Sequence, residues 1–116
     1  MRVLNTLPQA DLHATAAAAI ASEAAGYDGL LTMENKHDPF LAHAIAAVNT
    51  ERVELGTSVA IAFPRSPMVV ANASWDLQNA SRGRFVLGIG PQIRPHNEKR
   101  FSMPSKYPLS CRKEPV

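Results

Sequence analysis

Short apolar runs alternate along this chain with longer stretches whose apolar residues recur at helical spacing. Residues 3–7 (VLNTL) alternate well enough for a strand, which stops at Pro8 because proline has no amide to give a ladder. An alanine-rich helix follows, N-capped by Asp11, reaching Ala25 and ended by Gly26 in the left-handed position. Residues 29–33 (GLLTM) predict a second strand, apolar on both faces as expected where helices cover both sides of a sheet. A polar loop at 34–39 leads to a short helix at 40–48, with Phe40, Ile45 and Val48 available for packing. The β-branched stretch 53–61 predicts a third strand, and Gly56 inside it signals a bulge or a close backbone approach. Pro67 suits the first turn of the next helix, along which Val70, Ala73, Leu77 and Ala80 share one side. Gly83 ends that helix, and 85–89 (FVLGI) is the fourth strand. A further helix starts near His96 with Asn97 as its cap.

Strand and helix alternate with short connections, which demands an α/β fold with a parallel sheet and right-handed crossovers. Beyond Pro104 the character changes. Every alanine lies at or before Ala80, and 105–116 carries prolines and scattered charges without an apolar period. The expected division is therefore a folded unit at 1–104 and a disordered or foreign tail at 105–116, such as truncation or an altered reading frame would produce.

Composition narrows the class. The chain has 116 residues, 46% hydrophobic and 19% charged, enough for one domain with a core of its own. No apolar run approaches the roughly 20 residues of a membrane helix, and the N-terminus lacks a signal-peptide core, so a cytoplasmic protein without membrane contact is expected. The single cysteine, Cys111, excludes an intrachain disulfide and a cysteine-based zinc site. No pair among His13, His37, His43 and His96 has the i, i+4 spacing of helical metal ligands, so no metal is expected; His13 and His43 read as helix-surface residues. The net charge of +2 divides unevenly, with an acidic excess up to Ser81 and a basic excess from Arg82 onward. The basic end lacks the aromatic interleaving of a base-stacking surface, so nucleic acid is not an expected partner.

The candidate chemistry lies at strand exits, where α/β proteins bind ligands. Gly88-Ile89-Gly90 resembles part of a dinucleotide fingerprint, but Ile93 stands where the third small residue belongs and Pro91 removes an amide. Small residues there either turn the chain off the strand or leave room for a flat ligand. Glu34-Asn35-Lys36-His37-Asp38 leaves the second strand at the same end and is either acid–base machinery or a solvated loop. Thr57-Ser58-Val59 offers hydroxyls at a strand irregularity, for a ring edge or for packing. Trp75 reads as a core anchor.

Three segments taken together carry a family resemblance: EAAGYDGL at 23–30, LGTSV at 55–59 and DLQNASRGRFVLGIG at 76–90. In order and spacing they are similar to the N-terminal part of the luciferase-like monooxygenase superfamily, nearest its deazaflavin (coenzyme F420)-dependent oxidoreductases. The resemblance implies the first four βα units of a (β/α)8 TIM barrel, with a flat cofactor ring across the strand ends. It implies a non-proline cis peptide at Ser58-Val59 behind that ring. Cofactor contacts are implied for Ser58, Val59, Gly90 and Gln92. Glu34 and Asn35 fall where many members carry Asp-His, making them the implied catalytic pair and a departure from the family pattern. Coenzyme F420 is the implied cofactor, with FMN second, for hydride transfer or monooxygenation of a small organic substrate. Eight strands close such a barrel, so self-association or a partner completing it is expected. The alternative is a non-catalytic fragment or interaction module that keeps the half-barrel fold.

Overall fold

The computed structural model describes residues 1–102, so the expected tail at 105–116, with Cys111, lies outside the described residues. Strands and helices alternate as β1 (Leu4–Thr6), α1 (Thr15–Ala24), β2 (Gly29–Thr32), α2 (Leu41–Asn49), β3 (Glu54–Thr57), β4 (Ala60–Ile61), α3 (Pro67–Ala80), β5 (Phe85–Val86), β6 (Ile89–Gly90) and α4 (Arg94–Phe101). A parallel sheet runs β1-β2-β3-β5, and β4 and β6 form a second parallel ladder. The third and fourth strands of the sequence pattern are thus both present, each in two pieces.

Strands lie side by side in chain order, and α1 packs on α2 as α2 packs on α3. Helices ordered in this way line one face of the sheet. A doubly wound sheet would instead reverse its strand order and carry helices on both faces. The expectation of cover on both sides of the second strand is therefore corrected. Leu30 faces the helices and is fully buried, whereas Leu31 is half-buried on the other face. Leu4 and Val86 stand 46% and 52% exposed.

Leu30, Leu55 and Phe85 form the core with Ala19, Ala42, Ala46, Ala47, Val70 and Leu77. Alanines let the helices approach the sheet closely, and each fully buried leucine contributes about 1.5–3 kcal/mol. Gly26 and Gly83 follow α1 and α3 with φ of +94° and +86°, the left-handed stops the pattern required.

Other details depart from expectation. Asp11 does not cap α1: its side chain accepts the His13 amide and its carbonyl the Ala14 amide, so it builds a preceding turn and the helix starts at Thr15. On α2 the buried face is Ala42, His43, Ala46 and Ala47, which leaves Val48 exposed; small residues win the tight face against the sheet. Ala80 is exposed, and α3 packs through Val70, Ala73 and Leu77. Trp75 is 76% exposed, because it sits off that line. Asn97 lies within α4, which starts at Arg94, and its Nδ2 donates to the Pro91 carbonyl at 2.9 Å.

Candidate functional site

The sheet is irregular at one place. Gly56 pairs with Val86 and Ala60 with Ile89, so Thr57, Ser58 and Val59 stand opposite only Leu87 and Gly88. One strand carries an extra residue, the definition of a bulge. Gly56 itself stays in register; the break falls at Ser58-Val59, where the peptide is cis.

Neighbouring groups repair the broken ladder. Thr57 Oγ1 donates to the Gly88 carbonyl at 2.7 Å and accepts the Gly88 amide at 2.9 Å, so one hydroxyl serves both groups of the facing residue. A Cβ on Gly88 would overlap the Thr57 carbonyl oxygen, and one on Gly90 would lie 2.8 Å from Val59 Cγ2. The room these glycines provide is taken by strand three itself. Ser58 and Val59 are exposed at the strand exits, Val59 by 43%, although its methyls lean on Gly90.

Glu34 reaches the same place from β2. The Ser58 amide donates to the Thr32 carbonyl at 2.7 Å, and past that point β2 has left the ladder. Ile61 still turns its amide to that side, where Glu34 Oε2 accepts it at 2.5 Å. The same oxygen accepts Arg65 Nη1 at 2.6 Å, with the Glu34 side chain 5% and the Arg65 side chain 16% exposed. Arg65 also donates to the Ile61 carbonyl, approaches Asp38 Oδ2 at 3.5 Å and lies over the Phe40 ring. Burial alone would lower the Arg65 pKa; the Glu34 hydrogen bond and the Glu34 and Asp38 charges outweigh it and hold the pKa above its ordinary value.

The remaining candidates spread out. Asn35 is exposed and lines a shallow pocket with Gln9, Ala10, Met33, Lys36 and His37. Asp38 Oδ1 accepts the Phe40 and Leu41 amides and fastens the start of α2. Gly90 and Gln92 are half-buried after the fourth strand; Gln92 has φ of +57° and its Oε1 accepts the next amide, from Ile93. The structure thus gathers Glu34, Ser58, Val59 and Gly90 at one mouth and leaves Asn35 on its rim.

Three side chains that the sequence reading did not single out as site supports fix this frame. Arg65 was visible as a rare basic residue directly after the third strand. Arg84 donates to the carbonyls of Ala47, Thr50, Val53 and Ser81 and to Thr50 Oγ1, which ties the end of α2 to β3. His43, expected on a helix surface, is fully buried: Nε2 meets the Gly56 carbonyl at 2.8 Å and the ring stands edge-on to Phe85. Burial pushes its pKa down to about 4, although the Gly56 carbonyl opposes the shift.

Comparison with known proteins places this sheet in a family. The luciferase-like monooxygenase family model matches residues 2–114. The chain belongs to that family. It is 57% identical over 97 residues to an uncharacterized protein of Mycobacterium tuberculosis, a match covering 84% of this chain and 28% of that protein. A second M. tuberculosis protein, named as a coenzyme F420-dependent oxidoreductase, is 39% identical over 77 residues, covering 63% of this chain and 22% of that one. In fold the chain is similar to the oxygenating constituent of a Pseudomonas putida diketocamphane monooxygenase, a type II Baeyer-Villiger enzyme solved with FMN. That likeness has a TM-score of 0.75 at 18% identity and covers 90% of this chain and 33% of the other. The chain thus spans under a third of the length of these relatives. Its fold is a partial TIM barrel, with the first four βα units and the bulge at a strand exit. None of its described helices is long and apolar enough to cross a membrane.

Proposed function

We propose that the chain supplies the ring-side part of a deazaflavin site, with coenzyme F420 first and FMN second, in an oxidoreductase acting on a small organic substrate. The observation that supports this reading is the bulge at residues 57–59, which presents Ser58 and the apolar surface of Val59 at the strand exits, with Gly90 packed behind. A flat ring needs such an apolar shelf with few projecting groups, and family membership supplies its identity. When bound, the cofactor supplies the hydride chemistry, or oxygen activation in the case of a flavin. The chain's residues place it and exclude water. Ser58 and Val59 form the shelf, and Gly90 and Gln92 border it. Asn35 is the exposed carboxamide toward the substrate side. Glu34 acts as a positioning residue, since its carboxylate already holds Ile61 and Arg65. Phosphate-binding loops in such barrels follow the seventh and eighth strands, so holding a cofactor tail falls to whatever completes the barrel.

Titration of the purified chain with coenzyme F420 and with FMN, followed by absorbance and fluorescence, tests the reading. Saturable binding that weakens at least tenfold in Val59→Glu at unchanged circular dichroism is expected. A folded chain that binds neither cofactor would overturn it and leave the non-catalytic interaction module, which the uncovered sheet face favours.

A further inference from the structure

The sheet face opposite the helices is built as a barrel interior and, among the described residues, left open. Its residues fall in rows across the strands: Leu4 beside Gly29 and Glu54, then Thr6 beside Leu31, Gly56 and Val86. Large and small alternate. A Cβ on Gly29 would lie 2.8 Å from Leu4 Cδ2, and one on Gly56 would lie 3.3 Å from Leu31 Cδ2, so each leucine fills the space its glycine neighbour leaves. Inward-facing barrel positions alternate in this way to fit the taper. A shallow apolar concavity results, and its charged lining residues, Arg2 and Glu54, pair with each other. Such a face can meet its own copy without like-charge repulsion.

Among the described residues both sheet edges are open too. The Val3 carbonyl and the Leu7 amide bond to the β2 side, so Leu4 and Thr6 turn their main-chain groups outward; the Thr6 amide is taken by its neighbour, Asn5 Oδ1. At the other edge the Gly88 and Gly90 carbonyls point to β4, which turns Leu87 and Ile89 outward, and the Phe85 amide is held by Gln78 Oε1.

We infer that two copies of this chain close one eight-stranded barrel, with the β1 edge of each pairing with the β5/β6 edge of the other. A two-fold axis along the barrel keeps all eight strands parallel, buries both concavities and leaves no edge. The strand-exit site then has both halves of its rim. This inference rests on the sheet and not on the cofactor reading, and it can fail or hold independently of it.

Sedimentation equilibrium of the 116-residue chain tests it first, with a mass twice 12.6 kDa expected. Val86→Arg, at a position already 52% exposed, should give monomers at unchanged circular dichroism. Thr6→Cys and Ile89→Cys, each in a Cys111→Ser background, locate the contact. Neither alone should crosslink with a short bismaleimide, and an equimolar mixture should yield covalent dimers. A monomeric chain overturns the inference. So does a dimer indifferent to Val86→Arg, or one in which Thr6→Cys crosslinks to itself, since that would join like edges.

Discussion

Acidification from pH 7 to pH 5 should cost the fold about 2 kcal/mol through a single imidazole, His43. The ring is fully buried, Nε2 faces the Gly56 carbonyl at 2.8 Å, and Nδ1 has no partner among the described residues. A carbonyl only accepts, so Nε2 carries the hydrogen, and a second proton on Nδ1 would be a buried charge without compensation. The pKa accordingly falls from 6.5 to about 4, with burial as the main cause. Between these values the unfolded chain binds a proton that the folded chain refuses, so stability is fully present above pH 6.5 and is lost as pH falls toward 4. Glu23, whose carboxylate accepts the amides of Glu51, Arg52 and Val53, has a pKa below 4.5: burial raises it, and those bonds outweigh the burial. Its contribution is present above its unfolded value and lost only at lower pH, outside the window tested. The assay is urea unfolding at pH 7, 6 and 5, at fixed protein concentration, for the parent and for His43→Gln. The variant should be less stable at pH 7, and its stability should vary less with pH, so that the gap narrows on acidification. Equal pH slopes in both proteins would refute the reasoning.

Two substitutions probe the frame around the site. Arg84→Ala removes donors to the Ala47, Thr50, Val53 and Ser81 carbonyls and should destabilise by roughly 2–4 kcal/mol in urea unfolding, with Arg84→Lys recovering little because an ammonium lacks the planar fork. Arg65→Met strands the Glu34 carboxylate and should cost about 3–5 kcal/mol, whereas the double variant with Glu34→Gln should cost clearly less than the two single losses added together.

The strand–helix order was legible because each element carries its own period and its own stop, with Gly26 and Gly83 marking the ends of α1 and α3. Which face each helix buries was less legible. Of the apolar residues available for packing around α2, Phe40 enters the core, Ile45 is half-buried and Val48 is exposed, while Ala42, Ala46 and Ala47 face the sheet and His43 goes in with them. Close packing of a helix on a sheet rewards small volume over hydrophobicity, and polarity alone therefore misplaced the histidine. The cover of the second strand was misread for a related reason. Leu30 and Leu31 are both apolar whether the second face meets helices or a barrel interior, and only strand order separates the two.

At the site, a glycine states that a Cβ is forbidden without stating what forbids it. Gly88 and Gly90 suggested room for a ligand, and the structure fills that room with Thr57 and Val59. The carboxylate at position 34 hid a similar ambiguity. Where β2 leaves the ladder, the Ile61 amide loses a strand partner, and an acceptor must reach it through a side chain. Glu34 does so and binds Arg65 with the same oxygen, so removing the acceptor would orphan an amide and a guanidinium together. A group holding two donors at the bulge is well placed to set where Ser58 and Val59 stand. On the function proposed above, the carboxylate belongs to the shelf, which it fixes through Ile61 and Arg65, and Asn35 is the exposed carboxamide on its rim.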